Sequence, residues 1–399
     1  MAATSILDLI AQATRLREGS SGVQALLRAV YRAGSLRLQD AAREARLPLP
    51  VASAVRRELE KAGLLERKQG LTLTGDGREF VERDLGMRAQ LDITCAVCAG
   101  HGIVIPDSLK AEVERLAEII AGAPSVDVTL DQAPCYPDTA MRRALLMLQN
   151  GALEGKRVLL LGDDDSVSIA IGLLGRALRK NDLTKGDLTR GVTVIDADER
   201  RISFLRDAAA REQLALEVIH HDLRRPLPPG LLRSFDTIET DPPYTLEGAR
   251  LFLARGCEAL ATEADGHCFF SFTHWPASQM LELQKVFTEL GLAVRAVWPN
   301  FNRYAGASML GNLGQLIELV HVAGAAAELP DFSGPLYTAE VNPRLRVYAC
   351  ADCGKEIVLG ENGIPATIED AKVLGCRGCG GHVFRRQSVR SSKGAPSAA

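Results

Sequence analysis

The sequence predicts an α/β protein: a doubly wound, seven-stranded sheet, with a winged helix-turn-helix domain before it and a four-cysteine, zinc-ribbon-like module after it. Three observations carry that prediction. Short apolar runs alternate with segments of helical period between residues 151 and 328. Residues 23–84 read as three helices, then strand, turn, strand and a closing helix. Two Cys-x-x-Cys pairs lie beyond residue 329. The implied divisions are 1–86 for the winged helix, 87–150 for a connecting region that walls a cleft, 151–328 for the sheet, 329–386 for the cysteine module and 387–399 for a disordered tail.

A chain of 399 residues has room for two or three domains and a sizeable core. Its 46% apolar and 24% charged content is that of a soluble globular protein, and a net charge of −3 gives no global attraction for nucleic acid or anionic membranes. No apolar run approaches the roughly 20 residues that span a bilayer. The N-terminus lacks the ordered segments of a signal peptide. A cytoplasmic protein with no membrane partner is expected. Nine cysteines in so long a chain fit metal ligation in a reducing compartment better than a secreted disulfide framework.

In the N-terminal region, helices are expected at 23–33, 38–45 and 49–63, with Gly70 turning a two-stranded wing. Arg56, Arg57 and Lys61 make the third helix partly basic, but Glu58 and Glu60 dilute that charge. Docking or dimerisation, giving a homodimer, is the expected role, with DNA binding the lesser alternative. Next, Cys95, Cys98 and His101 fall short of a tetrahedral ligand set and read as free thiols with a neighbouring histidine. A helix is expected at 109–122, a strand at 126–130, and a helix at 138–151 leading into the sheet. Asp131, Cys135 and Tyr136 are placed on one wall of a cleft.

The sheet strands are expected at 158–161, 192–195, 216–219, 235–239, 266–271, 292–298 and 316–322, with helices at 166–180, 200–212, 247–264 and 277–290. The first strand is apolar throughout, as in a central parallel strand buried on both faces. Residues 299–314 show no helical pattern, so the last two strands form an antiparallel hairpin. The Gly-x-Gly-x-x-Gly fingerprint is missing after the first strand. Together these favour the Rossmann-like sheet of proteins that bind S-adenosylmethionine over a nicotinamide-binding one.

Acids recur at the strand ends, where this fold places its ligand. Gly162 follows the first strand and permits a tight turn and close approach. Asp163, Asp164 and Asp165 come next, an unsuitable lining for phosphate but a fitting one for hydroxyls, ammonium groups or a sulfonium. Asp196 and Asp198 follow the second strand and are candidates for ribose hydroxyls. Asp222 follows the third, in reach of an adenine amino group. Asp241-Pro242-Pro243-Tyr244 follows the fourth. The prolines stiffen the turn, so Asp241 and the Pro242 carbonyl face an attacking amine while Tyr244 packs against it. His274, beyond the fifth strand, is the best placed histidine. Downstream, Cys350, Cys353, Cys376 and Cys379 supply four thiolates from two tight turns, a complete set for one structural zinc.

Over residues 20–325 the chain resembles the branched-chain polyamine synthases, the N4-bis(aminopropyl)spermidine synthases. The likeness rests on Gly162-Asp163-Asp164-Asp165, on Asp241-Pro242-Pro243-Tyr244, and on a winged helix preceding the sheet. It implies transfer of aminopropyl groups from decarboxylated S-adenosylmethionine, the co-substrate, to the secondary amine of spermidine or a related linear polyamine, with release of methylthioadenosine. Asp241, Tyr244 and Asp164 would carry the chemistry. Gly162, Asp163, Asp165, Asp196, Asp198, Asp222, Pro242, Pro243 and His274 would bind the substrates. An aspartate-rich cleft independently complements two cationic substrates. The alternative is an S-adenosylmethionine-dependent DNA or RNA amino-methyltransferase, since Asp-Pro-Pro-Tyr occurs there too. A ligand-sensing transcriptional regulator would explain the winged helix but leave Asp-Pro-Pro-Tyr without a purpose.

Overall fold

A computed structural model of the chain describes residues 5–87, 98, 102–184, 186–263, 265–305, 313–322, 324, 332–341, 344–359 and 368–391. The chain divides into two compact units: Met1–Val128 with Gln132–Pro242 and Gly248–Ser333, and Thr129–Asp131 with Pro243–Glu247 and Gly334–Ala399.

The first unit opens with α1 (Ile6–Thr14), α2 (Gly19–Ala33), α3 (Leu38–Glu44), α4 (Leu49–Lys61), a hairpin of β1 (Leu65–Arg67) and β2 (Leu71–Leu73), and α5 (Gly75–Arg83). The helices of period 3.6 read from the sequence are all present. Helix α1 is an addition, started by a capping box in which Ser5 Oγ accepts from the Asp8 N–H and Asp8 accepts from the Ser5 N–H. Val23, Leu26, Leu27 and Val30 meet Ala52, Val55 and Leu59 in a core with no exposed surface. Helix α1 packs on α4, and their apolar residues share this core.

After α6 (Lys110–Ile120) and α7 (Pro137–Gln149) come β3 (Arg157–Leu161), α8 (Val167–Lys180), β4 (Gly191–Asp196), α9 (Glu199–Glu212), β5 (Leu216–His220), β6 (Thr237–Thr240), α10 (Leu246–Ala259), β7 (Gly266–Phe272), α11 (Ala277–Glu289), β8 (Leu292–Arg303) and β9 (Leu313–His321). Strand order is β5-β4-β3-β6-β7-β9-β8. The first five pair in parallel, and β9 runs antiparallel to both its neighbours. This is the expected doubly wound sheet with a terminal hairpin. Val158–Leu161 have no exposed surface, which agrees with a strand covered on both faces.

Local boundaries differ from the sequence reading. The strand expected at 126–130 is instead a 3-10 turn, Val128–Leu130. The fourth strand begins at Thr237, because Phe235 makes an isolated bridge to Leu260. Helix α10 ends at Ala259. Strand β8 runs on to Arg303 through a register shift between Trp298 and Asn302, so the first residues of the expected loop are strand. Cys95, His101 and residues 306–312 lie outside the described residues; Cys98 is a half-buried free thiol.

The second unit carries α12 (Thr338–Val341), β10 (Arg344–Cys350), β11 (Glu356–Leu359), α13 (Ile368–Leu374) and β12 (Phe384–Ser391). The three strands form an antiparallel sheet in the order β11-β10-β12. Strand β12 extends five residues into the stretch read as tail (387–391). No helix among the described residues is long and apolar enough to cross a membrane.

Candidate active site

The ligand edge of the sheet is built around one arginine that the sequence reading did not single out. Arg143 lies on the buried face of α7, beside Ala140, Ala144 and Met147, and is 1% exposed. Its Nη1 donates to Asp165 Oδ2 and to Glu239 Oε1 at 3.2 Å, and its Nη2 to Asp241 Oδ2 at 2.9 Å. Its Nε donates to Asn302 Oδ1 at 2.9 Å. One guanidinium therefore ties the end of β3 to the end of β6 and to the bulged part of β8. Asn302 is held in turn by donating to the Gln315 carbonyl at 3.1 Å. Tyr304, 1% exposed, donates its hydroxyl to Asp241 Oδ2 at 2.7 Å. The other oxygen of Asp241, Oδ1, is buried and has no hydrogen-bond partner among the described residues.

The three consecutive aspartates face three ways. Gly162 makes the turn with φ +74° and donates its N–H to the Ile195 carbonyl. Asp163 is turned back into the fold. Its carboxylate accepts from the Val167 N–H at 2.7 Å, the Ser168 N–H at 3.2 Å and the Ser168 hydroxyl, so it caps the first turn of α8. Asp165 accepts from Arg143 and from the Cys135 N–H. Asp164 is the most open of the three and accepts from the Ala133 N–H at 2.8 Å. The segment 133–136 is stitched onto β8 through Tyr136 N–H to Arg303 O and Ala305 N–H to Pro134 O.

Charge accumulates here faster than it is balanced. Asp163, Asp164, Asp165, Asp196, Glu239 and Asp241 are all buried or nearly so, against the buried cations Arg143 and Arg201. Burial, and then the charge of Asp241, push Asp164 up to about 6. Burial raises Asp241 to about 6 as well; Asp165 adds to the rise, and Arg143 and Tyr304 oppose it. Burial likewise lifts Asp165 and Asp196, and it lifts Glu239 well above the usual carboxylate range. Groups so close titrate together. The cluster's carboxylates outnumber its two buried arginines.

The remaining sequence candidates divide. Asp196 orients the loop below it, accepting from the N–H groups of Asp163 at 3.2 Å and Asp198 at 2.8 Å. Asp198 caps α9 and is paired with Arg200, with Gln132 donating at 2.9 Å. Burial alone would raise Asp198, but these bonds prevail and hold it at about 2. Asp222 accepts from the Arg224 N–H at 3.0 Å in the turn after β5. His274 shares no hydrogen bond or ion pair with the cluster. It pairs with Asn300 at 3.0 Å and lines a small pocket with Arg43 of α3 and Arg46, Leu47 and Pro48 of the α3–α4 turn. Burial, and then the charge of Arg46, lower it to about 4. Pro242 is buried at the end of the first unit; Pro243 and half-buried Tyr244 belong to the second.

In the second unit, the sulfurs of Cys350, Cys353, Cys376 and Cys379 lie within 4.8 Å of one another. Cys350 and Cys379 are 3.5 Å apart, and Cys353 and Cys376 3.6 Å. A tetrahedral metal with sulfurs at about 2.3 Å has edges of about 3.8 Å, so the four thiols fit one metal ion. The Gly378 N–H points at Cys376 Sγ.

Sheet order, terminal hairpin and acids at the strand ends define a Rossmann-like protein of the S-adenosylmethionine-binding type. Residues 112–348 match the profile of the branched-chain polyamine synthase A C-terminal domain. The N(4)-bis(aminopropyl)spermidine synthase of Thermococcus kodakarensis is 33% identical over 75% of this chain and 82% of its own length. An uncharacterized protein of Methanocaldococcus jannaschii is 35% identical over 95% of this chain and 92% of its own. The crystal structure of the branched-chain polyamine synthase from Thermus thermophilus, in complex with N4-aminopropylspermidine and 5'-methylthioadenosine, superposes with a TM-score of 0.67. It is 27% identical, covering 85% of this chain and 99% of that one. The chain belongs to the branched-chain polyamine synthase family.

If Arg143 offsets three buried carboxylates, Arg143→Met leaves them uncompensated and costs about 3–5 kcal/mol of stability near pH 8. Asp241 gains its proton as the pH falls through about 6, so the penalty shrinks at pH 5.5. Denaturant titrations of both proteins at the two pH values check this; a penalty independent of pH contradicts it.

Proposed function

We propose that the protein is an aminopropyltransferase, moving the aminopropyl group of decarboxylated S-adenosylmethionine to the secondary amine of spermidine or a related linear polyamine. The products are a branched polyamine and methylthioadenosine. The observation that carries this reading is the excess of buried carboxylates over arginines at the strand ends. Both substrates are cations there, and the site attracts cations. The carboxylate of intact S-adenosylmethionine would enter the same field at a cost.

In the proposed step, the lone pair of the acceptor nitrogen attacks the carbon bonded to the sulfonium. The carbon–sulfur bond breaks, its electron pair going to sulfur. The nitrogen then carries an extra proton, which Asp241 accepts. Arg143 and Tyr304 fix Asp241 Oδ2, which leaves Oδ1 for the amine. Asp164, half-buried beside it, steadies the cationic chain. Asp165 and Asp196 support the cleft, whereas Asp163 and Asp198 act through the helix starts they cap. Alignment of nitrogen, carbon and sulfur in a closed site supplies most of the rate. The winged helix, with α1 laid on α4 and the α3–α4 turn facing His274, serves as a wall of the enzyme rather than as a reader of DNA.

Mass spectrometry of spermidine incubated with either donor tests the reaction. Addition of one or two aminopropyl units with the decarboxylated donor alone is expected. Addition of methyl groups from intact S-adenosylmethionine, or no change with either donor, contradicts it. Asp241→Asn is expected to lose about 100- to 10,000-fold in rate. With Asp241 and Asp164 at about 6, kcat/KM falls as the pH drops below that value, because the protonated acid can no longer accept a proton.

Zinc is the metal proposed for the four cysteines. Thiolates are soft ligands that suit it, and with four protein ligands it leaves no open position for catalysis. It would hold the two turns together and so fasten the three-stranded sheet. Elemental analysis is expected to find one zinc per chain, lost in Cys376→Ser; a metal-free wild-type protein prepared under reducing conditions contradicts this.

A further inference from the structure

Arg201 has no part in the proton transfer, yet it is among the largest fully buried side chains, with 1% of its surface exposed. It is the third residue of α9 and so lies just beyond the β4 end that carries Asp196. Its guanidinium sits 5.5 Å from the Phe204 ring centroid. Neither Nε nor Nη1 has a hydrogen-bond partner among the described residues. Buried guanidinium donors are costly to leave unpaired. Arginine does not deprotonate to escape that cost. Arg143, by contrast, spends all three nitrogens on named acceptors.

We propose that Arg201 recognises the donor: its Nε and Nη1 donate to acceptor atoms of a purine nucleoside seated between the ends of β3 and β4, and its charge turns the donor's cationic chain away, toward Asp164 and Asp241. This rests on the aminopropyl-transfer reading and specifies how that site orients its donor. A purine ring presents unprotonated nitrogens, which are acceptors, and a ribose presents hydroxyls. Asp196 at the end of β4 and Arg201 at the start of α9 offer acceptor and donor to such a ligand, since a carboxylate has room for more bonds than the two Asp196 already accepts. Both arginine atoms are buried, so the contact requires the guanidinium to turn toward the cleft. That turn exchanges two unsatisfied donors for satisfied ones. The charge of Arg201 already reaches both acids, holding Asp164 and Asp196 lower than burial alone would leave them. The cleft is thereby polarised, with Arg201 beside β4 and, beside β3 and β6, acids that outnumber Arg143. A donor with a neutral nucleoside and a sulfonium chain fits it in one direction only.

The test is Arg201→Met and Arg201→Lys in the full chain, read by calorimetric binding of methylthioadenosine and by separate KM values for decarboxylated donor and for spermidine. Arg201→Met should weaken methylthioadenosine and raise the donor KM by about tenfold or more, the loss of one or two charge-assisted bonds. The spermidine KM should stay constant or fall, because a cation has been removed from an acid-rich cleft. Arg201→Lys should lie between, keeping the charge but not the planar pair of donors. A merely structural arginine would impair both substrates together, and that outcome overturns the proposal, as does methylthioadenosine affinity within twofold of wild type. If the methionine variant does not fold, the lysine variant decides on the same readouts. Wild-type protein that binds methylthioadenosine but leaves spermidine unchanged would refute the aminopropyl reading while leaving the role of Arg201 to be decided by the variants.

Discussion

The ion pairs of Arg143 are the constraint on which the rest of this site depends. Parallel strands deliver their C-terminal ends to one edge, and in this chain each of the two central ends carries acids. Like charges a few ångströms apart in a medium of low dielectric repel strongly. Arg143 lowers Asp165 and Asp241 against the rise that burial imposes, and without it both would hold their protons more tightly. A lysine would place a point charge beside one carboxylate. The planar fork of arginine reaches all three at once and fixes which oxygen of Asp241 is occupied.

That fork has to be positioned, and the fold does so from two directions. Helix α7 presents Arg143 from its buried face, and the register shift of β8 brings Asn302 round to take Nε. The antiparallel hairpin is thus more than a signature of the fold type. Its irregular strand supplies Asn302, and Tyr304 follows directly after the strand; these two neutral groups hold Arg143 and Asp241 in register. Segment 133–136 adds backbone donors to Asp164 and Asp165. The acids are held by groups that do not neutralise them fully, and the residual charge is what a polyamine would meet.

Much of the architecture was legible because burial leaves periodic traces. The apolar run 158–161, the helical stripes of the winged helix and the two Cys-x-x-Cys turns each state one local demand, and the structure meets each. The acids at the strand ends were legible as a set, since fold topology alone gathers them. What could not be read was which way each points. Asp163 and Asp198 cap helices, and capping aspartates look like ligand-binding ones in a sequence. Arg143 and Glu239 did leave a signal: a charge within the apolar stripe of a helix, and another within a four-residue buried strand. Their meaning depends on partners some 100 residues away, which no local pattern encodes. His274 lines a pocket with residues of the winged helix, a placement that strand order leaves open because it fixes an edge and not a direction along it. Tyr304 and Asn302 were hidden by a β-bulge that read as loop.

The carboxylates at the strand ends outnumber their arginines and are partly protonated near pH 6, a state that a bound cation would change. Calorimetry of spermidine binding in buffers of different ionisation enthalpy tests it most directly. With Asp164 and Asp241 near 6, a bound polycation lowers both, so binding at pH 6 must release protons, and Asp241→Asn must release fewer. Spermidine binding at pH 6 with no proton release, or with uptake, would contradict the account.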